Sequence, residues 1–172
     1  VDVAISGADG VHLGPDEQGE VLLRGPIIMP GYWNRPDATA QAIRNGWLHT
    51  GDLGHLDAEG YLFITDRAKD MIIRGGENVY CVEIEQRLVE HPEVADAAVV
   101  GVPHPALGEE VKAVVELVDG AAVTDAELRS LVAERLAGFK VPSIIERWPE
   151  KLPRNASGKL LKNVLRGEGP VS

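Results

Sequence analysis

Short apolar runs separated by glycine-containing turns fill the chain up to about Asp66. Residues 20–24 form a run of strand length, and residues 56–64 predict a hairpin with its turn at Asp57 to Gly60. A helix is predicted over residues 36–43, because proline is favoured in the first turn of a helix and this segment begins with one. The first part of the chain is therefore predicted to be β-rich, with one short helix.

After Asp66 the apolar positions alternate between helical and extended spacing. Apolar residues four positions apart predict amphipathic helices, and apolar runs of strand length predict buried strands. Thr124 and Glu127 form a capping box, which marks the start of a helix. We predict an α+β domain of two layers, with its boundary near residues 66–70. Its predicted elements are a helix over 82–90, strands over 97–102 and 111–118, a helix after the capping box and a short helix within 160–165.

Length and composition narrow the class of protein. A chain of 172 residues can bury the core of one medium domain, or of a small domain plus a fragment. No apolar run approaches the ~20 residues of a membrane-spanning helix, so no span is expected. Cys81 is the single cysteine and cannot form an internal disulfide, which predicts a cytoplasmic location. The chain begins at Val1 without a signal-like segment, and we expect it to be part of a longer chain.

The charge of the chain is unevenly distributed. A formal net charge of −10 argues against nucleic-acid binding, since phosphate backbones are held mainly by Lys and Arg. Residues 138–172 nevertheless contain seven basic and three acidic residues, a net charge of +4, which leaves −14 for the rest. Such a tail is either a solvated helix face or a site for a polyanionic small molecule. The five histidines show no HxH or HExxH spacing, so no metal site is predicted.

Three polar segments are candidates for chemistry. Asp52 lies beside glycine in residues 49–54, where a carboxylate can accept both hydroxyls of a vicinal diol such as ribose, or form a plain Asx-type turn. Residues 65–78 combine a charged run with the pair Gly75-Gly76, which either lets a narrow substrate arm pass the backbone or belongs to an ordinary linker. Lys159 ends a loop, where it is either a point charge for a phosphate or carboxylate oxygen or an exposed surface lysine.

Taken in order, these segments resemble the adenylate-forming superfamily of acyl-CoA synthetases, luciferases and nonribosomal-peptide adenylation domains. The resemblance covers nearly the whole chain and rests on four ordered motifs, at residues 31–36, 46–52, 66–70 and 153–159. It implies that residues 1–66 are the β-rich C-terminal end of a large N-terminal domain and that residues 67–70 form a hinge. Residues 71–172 would then be the mobile C-terminal α+β domain.

The resemblance also implies roles for individual residues. It places Asp52 and Arg67 near the ribose of ATP and of the acyl-AMP, and Lys69 at the interdomain hinge. Lys159 matches the catalytic lysine, which bridges the substrate carboxylate and the α-phosphate during adenylation. The channel for the pantetheine arm of CoA corresponds to Gly75, Gly76, Glu77 and Asn78.

The parent implied by the resemblance is an AMP-forming acid–thiol ligase that uses ATP, Mg²⁺ and CoA. Its acid is expected to be a fatty acid, with an aryl acid as the alternative. The N-terminal domain is the expected partner and would bind most of the Mg²⁺-ATP, so this chain alone is expected to be inactive. The competing hypothesis is a stand-alone module that binds CoA or a nucleotide without catalysis. Lys159 is also predicted to be a target of a lysine acetyltransferase, which would remove its charge.

Overall fold

A computed structural model describes residues 1–167, which form two compact units divided between Lys69 and Asp70. Each unit has a sheet of its own. None of the helices among the described residues is long and apolar enough to cross a bilayer. The hinge predicted at residues 67–70 stays a prediction.

The first unit is built on a five-stranded antiparallel sheet. Its strands are β1 (Asp2–Ser6), β2 (Gly19–Arg24), β3 (Ile43–Arg44), β4 (Trp47–Leu56) and β5 (Leu62–Arg67). They lie in the order β1-β2-β4-β3, and β5 pairs with the second half of β4. The helix α1 (Pro36–Ala42) begins with proline, as the sequence predicted. The strand β4 therefore lies at the centre of this unit.

The described residues of the second unit form a mixed sheet and three helices. The strands are β6 (Ile72–Arg74), β7 (Glu77–Val79), β8 (Val94–His104), β9 (Gly108–Leu117) and β10 (Ile144–Arg147). The helices are α2 (Cys81–Val89), α3 (Asp125–Ala133) and α4 (Lys162–Leu165), with a 3-10 turn at Gly138–Lys140. The order is β10-β9-β6-β7, with β8 also paired to β9. Within the described part of this unit, residues 70–167, only the β9–β10 pair is parallel.

The long strands β8 and β9 are buried on both faces. Alternate residues of β8, such as Val99, belong to a core cluster that contains Ile84 of α2 and Leu128 of α3. The intervening residues, such as Val100, belong to a second cluster with Leu165 of α4. Since successive side chains of a strand point to opposite faces, the C-terminal segment supplies a third layer. The prediction of two layers was therefore wrong, and the continuous apolar run of β8 fits burial on both faces.

The elements predicted from apolar spacing are confirmed, and so is the α+β class. The predicted hairpin is β4–β5, in which Leu56 pairs with Leu62. The capping box is present: Thr124 Oγ1 accepts from the Glu127 backbone N–H at 3.2 Å, and the Glu127 carboxylate accepts from the Thr124 N–H at 2.7 Å. These local signals are reliable because neither depends on distant parts of the chain.

Candidate functional site

Asp52 lies at a bulge in β4. Leu22 of β2 pairs with His49 and Glu20 pairs with Leu53, so residues 50–52 of β4 lie opposite Val21 alone. Gly51, inside the bulge, has φ +72°, a left-handed conformation that glycine adopts without strain. Bulges redirect side chains and are frequent beside active sites, so this one sets the direction of Asp52.

Side chains replace the strand pairing that the bulge interrupts. The Thr50 hydroxyl donates to the Val21 carbonyl at 2.8 Å and accepts from the Asp52 N–H at 3.1 Å. The Glu20 carboxylate accepts from the Gly51 N–H at 3.1 Å. The backbone polar groups of this segment are thus held although regular ladder bonds are missing, which keeps the bulge well defined.

Asp52 and Arg67 are brought together by the pairing of β4 with β5. The two residues are directly opposite in the register, and Arg67 Nε donates to Asp52 Oδ1 at 2.7 Å. Both side chains are partly exposed, 34% for Asp52 and 44% for Arg67. An ionised carboxylate offers more lone pairs than one guanidinium N–H uses, so Asp52 can accept further donors such as hydroxyl groups.

The pair Gly75-Gly76 forms the turn between β6 and β7. Both glycines have positive φ, +60° and +89°, and Arg74 pairs with Glu77 across the turn. The Gly75 N–H donates to the Leu107 carbonyl at 2.8 Å, which ties this turn to the one between β8 and β9. Glu77 and Asn78 are exposed on the short strand that follows.

A carboxylate that the sequence did not single out supports the base of this hairpin. Arg74 Nε donates to Glu110 Oε1 at 2.6 Å, and the Glu110 side chain is only 9% exposed. The hydrogen bond from Arg74 lowers the pKa of Glu110 against the opposing effect of burial, and the Val111 N–H adds a second bond to its carboxylate. The neighbouring Glu109 accepts from the Ile73 N–H at 2.8 Å.

Lys159 ends a tight loop that one amide side chain organises. The carboxamide oxygen of Asn155 accepts from the Ser157 N–H, the Ser157 hydroxyl and the Lys159 N–H, at 3.1, 2.8 and 2.9 Å. The Asn155 N–H in turn donates to the Lys159 carbonyl at 2.9 Å, and Gly158 takes φ +83°. The backbone at Lys159 is therefore fixed on both of its polar groups.

Arg154 attaches the same loop to the sheet. Its guanidinium donates to the Gly158 carbonyl at 2.8 Å and to Asp96 of β8 at 2.5 Å. The Lys159 side chain is exposed, and its ammonium pairs with no carboxylate among residues 1–167. An exposed ammonium on a fixed backbone is suited to meet an anion that arrives from outside this unit.

The structure thus places the predicted site residues in two groups. Asp52 and Arg67 are in contact in the first unit, which ends at Lys69. The hairpin turn at residues 75–78 and Lys159 both belong to the second unit. Among the described residues no cluster of three or more His, Cys, Asp or Glu is arranged to hold a metal ion.

Comparisons with known sequences identify the family of this chain. The model of the AMP-binding enzyme C-terminal domain matches residues 83–159. Feruloyl-CoA synthase of an Amycolatopsis species is 47% identical over 165 residues, which is 96% of this chain and 33% of that protein. This chain belongs to the adenylate-forming superfamily.

Solved structures of adenylate-forming proteins have the same fold. The o-succinylbenzoate CoA synthetase MenE from Bacillus subtilis, in complex with its acyl-adenylate intermediate, is 43% identical with a TM-score of 0.88 over 96% of this chain. The amide bond synthetase McbA from Marinactinospora thermotolerans is 43% identical with a TM-score of 0.89, also over 96% of this chain. The chain spans about a third of the length of these relatives.

Proposed function

We propose that the protein carrying this chain is an AMP-forming acid–thiol ligase. In the first step a carboxylate oxygen of the acid attacks the α-phosphorus of ATP, and the bond to pyrophosphate breaks to leave acyl-AMP. In the second step the sulfur of CoA attacks the acyl carbon, the bond to AMP breaks, and the thiol proton is released. The observation that carries the proposal is the paired Asp52 and Arg67, in a chain that aligns with a CoA synthetase solved with an acyl-adenylate.

Asp52 and Lys159 are proposed to act on different parts of the nucleotide. The Asp52 carboxylate accepts the ribose hydroxyls, while Arg67 holds its Oδ1. Lys159 lies at the reacting carboxylate and α-phosphate during adenylation. Negative charge develops there as pyrophosphate leaves, so a positioned cation stabilises the transition state more than the bound substrate.

The second step is proposed to use the Gly75-Gly76 turn. At Gly76 nothing lies within 4 Å of the place where a Cβ would stand, so the narrow pantetheine arm of CoA can pass close to the backbone there; at Gly75 the Leu107 side chain lies 3.3 Å from that place. Lys69, at the division between the units, is proposed as the hinge. Rotation there would withdraw Lys159 from the reacting groups after the first step and bring the Gly75-Gly76 turn to them for the second. The Mg²⁺ that accompanies ATP is assigned mainly to the N-terminal domain, where most of the nucleotide is proposed to bind.

The acid substrate belongs to a pocket in the N-terminal domain, so its class is inferred from the relatives. A fatty acid was the expectation from sequence, but the feruloyl and o-succinylbenzoate groups named for two relatives both contain a benzene ring. We therefore favour the aryl-acid alternative. A panel of fatty, short-chain and aromatic acids, compared by ATP-dependent AMP release in the full-length protein, distinguishes these classes.

A second acceptor is considered because McbA is an amide bond synthetase. An amine would replace the CoA thiol in the second step, with the same acyl-AMP as intermediate. We favour CoA because the backbone at Gly76 is open to a narrow arm. Mass spectrometry of the products formed with CoA and with a primary amine decides between the two acceptors.

The central test compares the full-length protein with the chain of 172 residues. ATP–pyrophosphate exchange should occur in the full-length protein and be absent from the chain alone. Exchange at equal rates would contradict the division of labour between the parts. Specific CoA or acyl-AMP binding without turnover in the full-length protein would instead favour a non-catalytic module. Acetylation of Lys159 stays a prediction, and it would silence the first step by neutralising the ammonium.

A further inference from the structure

The carboxylate of Glu20 spans the bulge in β4 that carries Asp52. One oxygen, Oε1, accepts from the Gly51 N–H at 3.1 Å, and the other, Oε2, lies 2.7 Å from His49 Nδ1. The Glu20 side chain is 26% exposed and that of His49 17%. Glu20 therefore binds the residues before and inside the bulge, on the side of β4 that faces β2.

Gly51 is fixed on both of its backbone polar groups. Its N–H donates to Glu20, and its carbonyl accepts from the Ala68 N–H at 2.9 Å, beyond the end of β5. The peptide plane between Gly51 and Asp52 is held by this Ala68 bond and by the bond from the Asp52 N–H to Thr50 Oγ1, whereas Glu20 holds the plane on the other side of Gly51. Gly51 takes a left-handed conformation and has no side chain to restrain it, so loss of the Glu20 bond would let the backbone turn at Gly51, directly before Asp52.

We propose that Glu20 is a positioning residue that aims the Asp52 carboxylate at the ribose hydroxyls. It does not contact the nucleotide; it acts through the Gly51 peptide. This inference rests on the proposed function, because it assumes that Asp52 receives the ribose. Its consequence is that recognition of the two hydroxyl groups depends on a carboxylate of the neighbouring strand.

If Glu20 had a purely structural role, its substitution would have a different effect on nucleotide binding. Its carboxylate also lies 3.9 Å from the Arg44 guanidinium, so it could serve only to pair charges on the sheet. In that case a substitution of Glu20 would lower the stability of the protein and weaken the binding of every nucleotide equally. If Glu20 is a positioning residue, its substitution weakens the binding only of a nucleotide that carries the ribose hydroxyl groups. The ratio of the affinities for nucleotides with and without these groups therefore separates the two roles.

The experiment measures binding of AMP and of 2′,3′-dideoxy-AMP to the full-length protein by calorimetry. The unaltered protein should prefer AMP by about ten- to a hundredfold, as expected for hydrogen bonds to a charged acceptor. Asp52→Ala should bring the ratio close to one. Glu20→Met, which has a similar length and no acceptor, should lower the ratio about tenfold, whereas Glu20→Gln keeps an acceptor for Gly51 and should stay within about threefold of the unaltered protein.

Two further variants make the result decisive. Glu20→Asp keeps the charge but is one methylene shorter, so it should also lose most of the preference and serves if Glu20→Met does not fold. Glu59→Ala removes an exposed carboxylate from the β4–β5 turn and should leave the ratio unchanged. Thermal unfolding of each variant shows whether affinity was compared between folded proteins.

The outcomes separate this inference from the function on which it rests. If Asp52→Ala keeps the full preference for AMP, the ribose role of Asp52 is wrong, and the role of Glu20 is wrong with it. If Asp52→Ala loses the preference while Glu20→Met and Glu20→Asp keep it, Asp52 still binds ribose and only the positioning role of Glu20 is overturned. The inference is supported if the preference for AMP is lost in Asp52→Ala, Glu20→Met and Glu20→Asp and is kept in Glu20→Gln.

Discussion

The backbone N–H of Lys159 donates to the side-chain oxygen of Asn155 at 2.9 Å. The same oxygen accepts from the N–H and the hydroxyl of Ser157, so a single acceptor shapes the whole turn. The position from which the Lys159 ammonium extends thus depends on a residue four places earlier in the chain. The loop is ordered by its own side chains rather than by burial, since Asn155 and Lys159 are both exposed.

Replacement of Asn155 should impair the first half-reaction. In the full-length protein, Asn155→Ala removes the shared acceptor and should slow ATP–pyrophosphate exchange about tenfold, equivalent to one to two lost hydrogen bonds. Asn155→Asp keeps an acceptor oxygen and should remain within about threefold of the unaltered rate. Equal rates in Asn155→Ala and the unaltered protein would show that the loop does not need this oxygen.

Removal of the Lys159 ammonium should separate the two half-reactions. Lys159→Ala should lower the rate of adenylation by about 10²- to 10³-fold, the usual cost of losing one electrostatic contact to the transition state. Formation of the thioester from supplied acyl-AMP and CoA should change little, because that step leaves no pyrophosphate charge to stabilise. Lys151→Ala, at another exposed lysine before the loop, is the matched control. Equal loss of both steps would contradict the assignment.

A side chain at the Gly76 turn should affect the second half-reaction. Gly76 has φ +89°, so Gly76→Ala strains the backbone by about 1–2 kcal/mol and places a methyl group on the surface proposed for pantetheine. Thioester formation should slow while pyrophosphate exchange is spared. Gly138→Ala is the control, since a Cβ at Gly138 meets nothing within 4 Å and its φ lies outside the left-handed region. A spared second step would argue against a CoA channel here.

The Arg74–Glu110 ion pair should make stability depend on pH. The pKa of Glu110 is lowered, chiefly by the hydrogen bond from Arg74. Its contribution to the free energy of unfolding is therefore present above the ordinary carboxyl pKa of about 4.3 and is lost as the pH falls through the lower folded-state value.

Substitution of Glu110 tests that dependence. Glu110→Gln should lower the free energy of unfolding by about 2–4 kcal/mol at pH 7, because Arg74 loses its charged partner in a largely buried pair. The difference between the two proteins should shrink as the pH is lowered below the ordinary carboxyl pKa of about 4.3, because the unfolded chain then takes up the proton first. Urea unfolding at a series of pH values measures both effects. A constant difference across the range would mean that Glu110 does not titrate with folding.

Apolar spacing and capping signals predicted the long elements well, because such signals act within a few residues. The strands β8 and β9 and the helices α2 and α3 follow directly from them. The strands β1, β3, β6, β7 and β10 were not predicted, and Ile43, which was predicted to be helical, belongs to β3. The strands β6 and β7 are three residues each, too short for a period-two pattern, and β10 is fixed by parallel pairing with β9, far away in sequence.

The candidate site was predictable only in part. Asp52, Arg67 and Lys159 were predicted as site residues from the order of their motifs, and they stay predictions, whereas the residues that contact them were not predicted. Asn155 carried an available signal, since Asn two places before Ser favours an Asx turn. Glu20 carried none, because it lies in an ordinary apolar strand and its proposed role depends on a bulge in the facing strand. Bulges arise from pairing between strands, which the spacing of one strand does not reveal.

Among residues 1–167, the hydrogen bonds that shape the loop before Lys159 come from residues 153–161 and from Asp96. All of these residues belong to the second unit. The loop is consequently a portable module: a nine-residue graft with one aspartate on the facing strand should present a lysine in the same orientation on another small sheet.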